Sequence, residues 1–206
     1  MLMARQIAPV IRIPIICIPV ICAVAAVLAG CASPAARFYT LSASTSTIAP
    51  ASSLSISVGP VSVPAAADIP QIVVTAGPNQ VRLEEFARWA SPLQDEISRA
   101  VAENLVALVG TPQVTQSPRS SSADADYRVS ILVQRFDSVP GEAATLDVVW
   151  TIRRPKDDKS KTARTSLREP VREPGYDGLA AAHSRALARL SQDIADAVRS
   201  LAGTEG

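Results

Sequence analysis

Metal binding and covalent catalysis depend on histidine, cysteine and carboxylate side chains, and this 206-residue sequence offers few of them in workable groups. Its one histidine, His183, lies four residues from both Leu179 and Leu187, on the apolar side of a predicted helix. A lone histidine lacks the partners that nucleophilic or metal sites need, so we expect it to pack. Asp124 and Asp126 supply too few oxygen ligands for calcium, and no nucleophile-elbow, zinc-protease or phosphate-loop motif occurs. We therefore expect no catalytic residue, no metal site and no bound cofactor.

The first 30 residues have the composition of a secretory signal peptide. Of these residues 23 are apolar and none is acidic, while Arg5 and Arg12 supply positive charge near the start. Pro14 and Pro19 interrupt the apolar run and leave 20–29 as its unbroken part, which is too short to span a bilayer as a helix. An apolar stretch of this length is typical of a signal peptide, so we assign residues 1–30 to one.

The end of this leader carries a cysteine with a defined chemistry. Leu28, Ala29, Gly30 and Cys31 resemble the lipobox of bacterial lipoproteins, in which the cysteine thiol forms a thioether to diacylglycerol and its freed amino group is acylated. Several acyl chains on Cys31 would give stable anchoring, which a single chain does not. Because Ala32 rather than aspartate follows the cysteine, we expect sorting to the outer membrane, facing the periplasm, with 31–37 as the lipidated tether.

The remaining 176 residues are nearly neutral, with 18 basic and 19 acidic side chains. Nucleic-acid binding requires a basic stripe, which scattered charges of both signs do not provide, so we expect no nucleic-acid partner. Cys17 and Cys22 leave with the leader and Cys31 is consumed by lipid. The mature domain then has no disulfide, and its hydrophobic core must stabilise it.

Apolar periodicity predicts two helices and several strands. Ser91 is a candidate N-cap with Pro92 at the first helical position, and the helix extends over 91–109 until Gly110 and Pro112. A second helix starts at Asp177 or Gly178 and continues to about residue 201. Alternation predicts strands at 38–41, 54–58, 61–63, 72–74, 81–83, 112–116, 127–134, 146–152 and 162–169. Hairpin-length links favour an α+β fold with an antiparallel sheet and two main helices packed on one face, as a single domain over 38–202.

Two short stretches are candidates for binding a partner. Pro70, Gln71 and Ile72 place apolar side chains next to a turn, and Arg88 and Trp89 come just before the first helix. Tryptophan and arginine are favoured anchors in protein interfaces. The alternative is that Trp89 only packs beneath the start of the helix.

Several of these segments resemble the PqiC-like family, the auxiliary lipoproteins of ABC-type and MCE-type transport systems. The resemblance covers nearly all of residues 31–202, and the order and spacing of the matching runs are specific. Trp150 in a central strand also matches. The matching runs are FYTL at 38–41, SVGPVSVP at 57–64, PQIVV at 70–74, RWASPL at 88–93 and LSQDIA at 190–195.

This resemblance implies a non-enzymatic role in lipid transport between membranes. The domain, anchored through Cys31, would dock the periplasmic end of an MCE-domain membrane protein that works with ABC and permease components, and would so support envelope integrity. Self-association as a homo-oligomer is also implied, with the strand at 38–41 as a candidate contact. The alternatives are a stand-alone periplasmic lipid-binding lipoprotein, which needs an apolar cavity between sheet and helices, and an outer-membrane assembly lipoprotein. A hydrolase is disfavoured because catalytic groups are missing.

Overall fold

The computed structural model describes residues 34–116 and 125–203. The predicted signal peptide, its lipobox residues Leu28, Ala29 and Gly30, and the lipidation site Cys31 lie outside these ranges, so their assignments stay predictions. Eight strands and two helices follow one another within the described ranges. Neither of these helices is long and apolar enough to cross a membrane. The α+β class and the single domain that we predicted are confirmed.

The strands form two sheets. The smaller has three strands in the order β1, β4, β3, and the larger has five in the order β5, β2, β6, β7, β8. Their bounds are β1 Arg37–Tyr39, β2 Ile56–Ser62, β3 Gln71–Gly77, β4 Gln80–Trp89, β5 Val114–Gln116, β6 Tyr127–Val139, β7 Ala143–Arg154 and β8 Lys159–Pro170. Helix α1 is Leu93–Val109 and helix α2 is Gly175–Ala202.

Both sheets are mixed, which corrects the single antiparallel sheet that we predicted. The hairpin β3–β4 and the meander β6–β7–β8 are antiparallel as expected. However, β2 pairs in parallel with both β5 and β6, and β1 pairs in parallel with β4. A parallel pair needs a crossover between its strands, and the chain that includes α1 supplies one between β2 and β5. Alternation along one strand carries no information about the direction of its neighbour.

The two helices lie on the same face of the five-stranded sheet, as predicted. Helix α1 packs on β2 and β5, α2 packs on β7 and β8, and the helices contact each other. The strands turn alternate apolar side chains toward this layer, where they are almost fully buried. In the two central strands these are Tyr127, Val129, Ile131 and Val133 of β6 and Leu146, Val148, Trp150 and Ile152 of β7.

Helix α1 begins two residues later than predicted and ends as predicted. Ser91 does not cap it; its hydroxyl instead donates to Oε1 of Glu96 at 2.5 Å, and no side chain caps the helix at Pro92. Gly110 ends the helix in the left-handed region at φ 71°. A Cβ at this position would lie 2.0 Å from the carbonyl oxygen of Pro50, so both conformation and space require glycine.

The serine- and threonine-rich segment at 42–53 has no regular structure but is held against both helices. Asn104 in α1 is fully buried, and its Oδ1 accepts from the backbone N–H groups of Ser44 and Thr45 at 3.1 Å each. The Ser184 hydroxyl in α2 accepts from the Ser42 N–H at 3.1 Å. These long-range bonds fix the segment although its serine- and threonine-rich composition is typical of loops, because composition cannot show which side chains will reach the backbone.

Candidate partner-binding groove

The short strand β1 positions one wall of a surface groove. Phe38 lies beside Arg88, and Tyr39 lies beside Trp89, in the parallel pairing with β4. Tyr39 and Trp89 turn inward and are buried, whereas Phe38 turns outward and is 64% exposed. Phe38 therefore contributes an exposed aromatic ring to the wall of the groove.

Trp89 holds the base of the groove. Its indole packs edge-to-face on Phe136 of β6, with ring centroids 6.0 Å apart. Its backbone N–H donates to the carbonyl of Pro70 at 2.8 Å, which ties the turn before β3 to the end of β4. Only 5% of the Trp89 surface is exposed, so this residue packs beneath the start of the helix, as in the alternative to partner binding. Its small exposed surface lines the groove.

The groove has a volume of about 480 Å³ and lies between β1, the turn before β3 and the start of α1. Its lining combines apolar and aromatic surface with one cationic and one anionic side chain. Such a mixed lining is typical of protein interfaces and unlike a site for a single anion. The lining residues are Phe38, Asp68, Ile69, Pro70, Arg88, Trp89, Ala90, Ser91, Pro92 and Gln94.

The structure brings together most of the residues that we predicted as partner-binding. Pro70, Arg88 and Trp89 all line the groove. Gln71 lies directly opposite Arg88 in the β3–β4 pairing and is half-buried. Ile72 is separated from them, because the next residue along a strand turns to the other face, and its side chain is buried in the core.

Arg88 is placed for contact with a partner. Its Nε donates to the carbonyl of Glu85 at 3.0 Å, which orients the guanidinium beside the groove. The side chain is half-buried, and its neighbour Phe38 is exposed. A pre-oriented guanidinium loses less side-chain entropy on binding than a free one.

Glu96, which sequence analysis missed, fixes the chain that follows β1. This carboxylate is buried, and its Oε2 accepts from the backbone N–H of Leu41 at 2.9 Å and from Nη2 of Arg99 at 2.7 Å. Nη2 of Arg99 also donates to the carbonyl of Leu41 at 2.5 Å. The burial of Glu96 could have been predicted from its position in the helix, because it lies three residues after Leu93 and next to Ile97 on the apolar stripe.

His183 of α2 is fully buried in the core and contacts β6. Its Nε2 lies 2.8 Å from the Ser138 hydroxyl, and its ring stacks on Phe136 with centroids 3.8 Å apart. Its buried Nδ1 has no hydrogen-bond partner within the described part of the chain. Burial lowers the pKa of His183 to about 3. The full burial of His183 and its stacking on Phe136 show that it packs in the core, as predicted. Among the residues that the structure describes, no three histidine, cysteine or acidic side chains converge as metal ligands would.

Comparison with known proteins places the chain among transport components. A family profile described as "ABC-type transport auxiliary lipoprotein component" matches residues 39–195. No curated protein matches the chain significantly.

Two crystal structures have a similar fold. That of an uncharacterized protein is 18% identical with a TM-score of 0.65, covering 80% of this chain and 99% of its own. That of protein XCC0632 from Xanthomonas campestris is 23% identical with a TM-score of 0.63, covering 78% of this chain and 93% of its own. At these identities the likeness shows the fold alone.

Proposed function

Because this chain belongs to the family of ABC-type transport auxiliary lipoprotein components, as its sequence resemblance predicted, we propose that it is the outer-membrane accessory component of an MCE-type lipid transport system. Acyl chains on Cys31 hold the domain at the periplasmic face of the outer membrane. The domain docks the periplasmic end of an MCE-domain membrane protein, which works with ABC and permease components to move lipids between membranes.

The groove between β1, β4 and α1 is the observation that carries this proposal. It places an exposed phenylalanine, an oriented arginine and the surface of a buried tryptophan within one hollow of about 480 Å³. Aromatic and arginine side chains in a partly desolvated hollow are the usual centres of binding energy in protein interfaces. β1 is also an edge strand of its sheet, so a partner strand can extend the sheet beside Phe38.

Site-specific cross-linking in the native host tests the proposal. A photoreactive phenylalanine analogue replaces Phe38, in the groove, or Leu132, which is 50% exposed on β6 of the other sheet and serves as the control. We expect the first position to cross-link an MCE-domain protein and the control position to give none. Cross-links from both positions alike, or only to a second copy of the chain, contradict docking through the groove.

Two further variants separate anchoring from docking. Cys31→Ser should leave the signal uncleaved and the protein in the inner membrane, whereas Arg88→Glu should leave localisation intact and reduce the Phe38 cross-link. Membrane fractionation and intact-mass analysis measure the first, and cross-link yield measures the second. Cleaved, outer-membrane Cys31→Ser protein contradicts the lipid anchor.

The stand-alone lipid-binding alternative receives no support from the interior. Between helices and sheet, where such a cavity would lie, Leu105, Ile152 and Leu187 are fully buried and belong to one continuous core. Native mass spectrometry of the purified protein would show retained lipid if this alternative held.

A further inference from the structure

Exposed apolar side chains concentrate in the three-stranded sheet. Among the described residues, seven large hydrophobic side chains are exposed, and four of them lie on β1 and β4. Scattered exposed hydrophobics are ordinary, but a cluster indicates a surface that something covers. Phe38 belongs to the groove, which leaves three residues of β4 that the proposed docking does not use.

These three residues form what we name the hairpin patch: Val81, Leu83 and Phe86, with exposures of 60%, 54% and 38%. Leu83 lies opposite the half-buried Val73 of β3, and directly paired residues share a face, so the patch continues onto β3. The alternate residues Arg82 and Glu84 pair with each other through Nε and Oε1 at 2.7 Å. Val81 and Leu83 therefore present apolar side chains on one face of the hairpin. A register shift between Gln71 and Ile72 interrupts the alternation between Glu84 and Arg88, and Phe86 precedes the buried Ala87, so its ring also turns outward.

The direction of β1 links this patch to the lipid anchor. Because β1 and β4 are parallel and Arg37 lies beside Ala87, the chain enters β1 from the side on which β4 carries Phe86 and Leu83. Six residue steps separate Cys31 from Arg37, which span at most about 22 Å. Ala87 and Leu83 are four steps apart on β4, or about 13 Å. At full extension the tether therefore spans more than the distance from Ala87 to Leu83.

We propose that the hairpin patch contacts the phospholipid surface into which Cys31 is anchored, with Val81, Leu83 and Phe86 inserted at the headgroup boundary. This inference rests on the lipid anchor of the proposed function. Apolar side chains held beside a bilayer gain free energy by entering its interface, in proportion to the area that they bury. The groove begins at Arg88, two residues beyond Phe86, and extends from there to the start of α1.

Single-cysteine labelling of the lipidated protein tests this orientation. The mature chain has no cysteine other than the modified Cys31, so Leu83→Cys can carry an environment-sensitive dye. Leu132→Cys is the matched control, since it is a leucine of similar exposure on the five-stranded sheet. Each protein is reconstituted, without partners, into phosphatidylethanolamine–phosphatidylglycerol vesicles with and without nitroxide-labelled phospholipid. Circular dichroism checks the fold, and Val81→Cys replaces Leu83→Cys if that variant unfolds.

The expected result is a blue-shifted emission and strong nitroxide quenching at position 83, with neither at position 132. Equal quenching at the two positions, or none at 83, overturns the proposal. A shielded dye at 83 that lipid does not quench and that responds to protein density shows that a second copy covers the patch, which also overturns it. If Cys31 carries lipid and the dye at position 83 is not quenched, the membrane-contact proposal fails and the proposed docking of the MCE-domain protein is unaffected. If intact-mass analysis shows no lipid on Cys31, both the membrane contact and the proposed function lose their basis.

Discussion

His183 is a titratable group enclosed in the core, and its surroundings determine how the protein responds to acid. Its ring lies against Phe136, and its Nε2 forms a hydrogen bond with the hydroxyl of Ser138. Burial disfavours the charged imidazolium and lowers the pKa from 6.5 to about 3. The same side chain regains an ordinary pKa in the unfolded chain, so its protonation is linked to unfolding.

We predict that the protein loses stability as the pH falls below about 6.5. Above this pH, His183 is neutral in both states and contributes no pH dependence. Below it, His183 is protonated in the unfolded chain and stays neutral in the folded chain. The free energy of unfolding therefore falls by about 1.4 kcal/mol per pH unit, or by about 2 kcal/mol at pH 5. Urea denaturation of the wild type and His183→Gln at pH 7, 6 and 5 measures this. The same pH dependence in both proteins would exclude His183 as the cause.

The connection between β1 and α1 depends on one buried carboxylate. Glu96 accepts from the Leu41 N–H and from Arg99, so the chain leaving the groove wall is fixed to the helix below it. Burial of Arg99 alone would lower its pKa, but hydrogen bonds to Glu96 and Glu103 outweigh this and raise it. The two acidic partners of Arg99 differ in burial: Glu96 is enclosed and Glu103 is exposed.

We predict that Glu96→Ala lowers the free energy of unfolding by about 2–4 kcal/mol, because it leaves the buried N–H of Leu41 without its acceptor and removes the buried carboxylate that pairs with Arg99. Glu103→Ala is the matched control, since it removes the exposed partner of the same arginine and should cost less than about 1 kcal/mol. Urea denaturation at pH 7 measures both. Equal losses in the two variants would show that the buried carboxylate has no special role.

The two sheets and the two helices share one hydrophobic core. Trp89 of the small sheet packs on Phe136 of the large one, and Arg199 of α2 donates to the carbonyl of Leu108 in α1 at 2.8 Å. Each sheet contains one of the two tryptophans, since Trp150 lies in β7. Elements joined through a common core are expected to unfold together.

We predict a single cooperative transition that both sheets report. In Trp150→Phe the fluorescence comes from Trp89 in the small sheet, and in Trp89→Phe it comes from Trp150 in the large sheet. Within each variant, the fluorescence midpoint in urea should coincide with the far-ultraviolet circular dichroism midpoint. A Trp89 transition that precedes the loss of helical signal would show that the small sheet unfolds on its own.

Local features of the sequence were sufficient to predict most elements and the family. Apolar periodicity, turn residues and Gly110 depend on neighbours within a few residues, so they predicted both helices, the hairpin β3–β4, the meander β6–β8 and the α+β class. The lipobox at Cys31 is likewise a local motif, and lipidation stays a prediction. Pro70, Arg88 and Trp89 were identified as candidates from residue type and position alone.

The arrangement that makes these residues a site depends on contacts between distant parts of the chain. Parallel pairing places Phe38 beside Arg88, 50 residues further on, and Glu96 binds the backbone of Leu41 across 55 residues. Neither contact can be predicted from periodicity. The alternation of apolar residues in a strand is the same whichever strand it pairs with. A carboxylate on a helix is expected to be exposed unless another segment of the chain covers it. Sequence therefore indicated the side chains, and long-range packing determined that they form one groove.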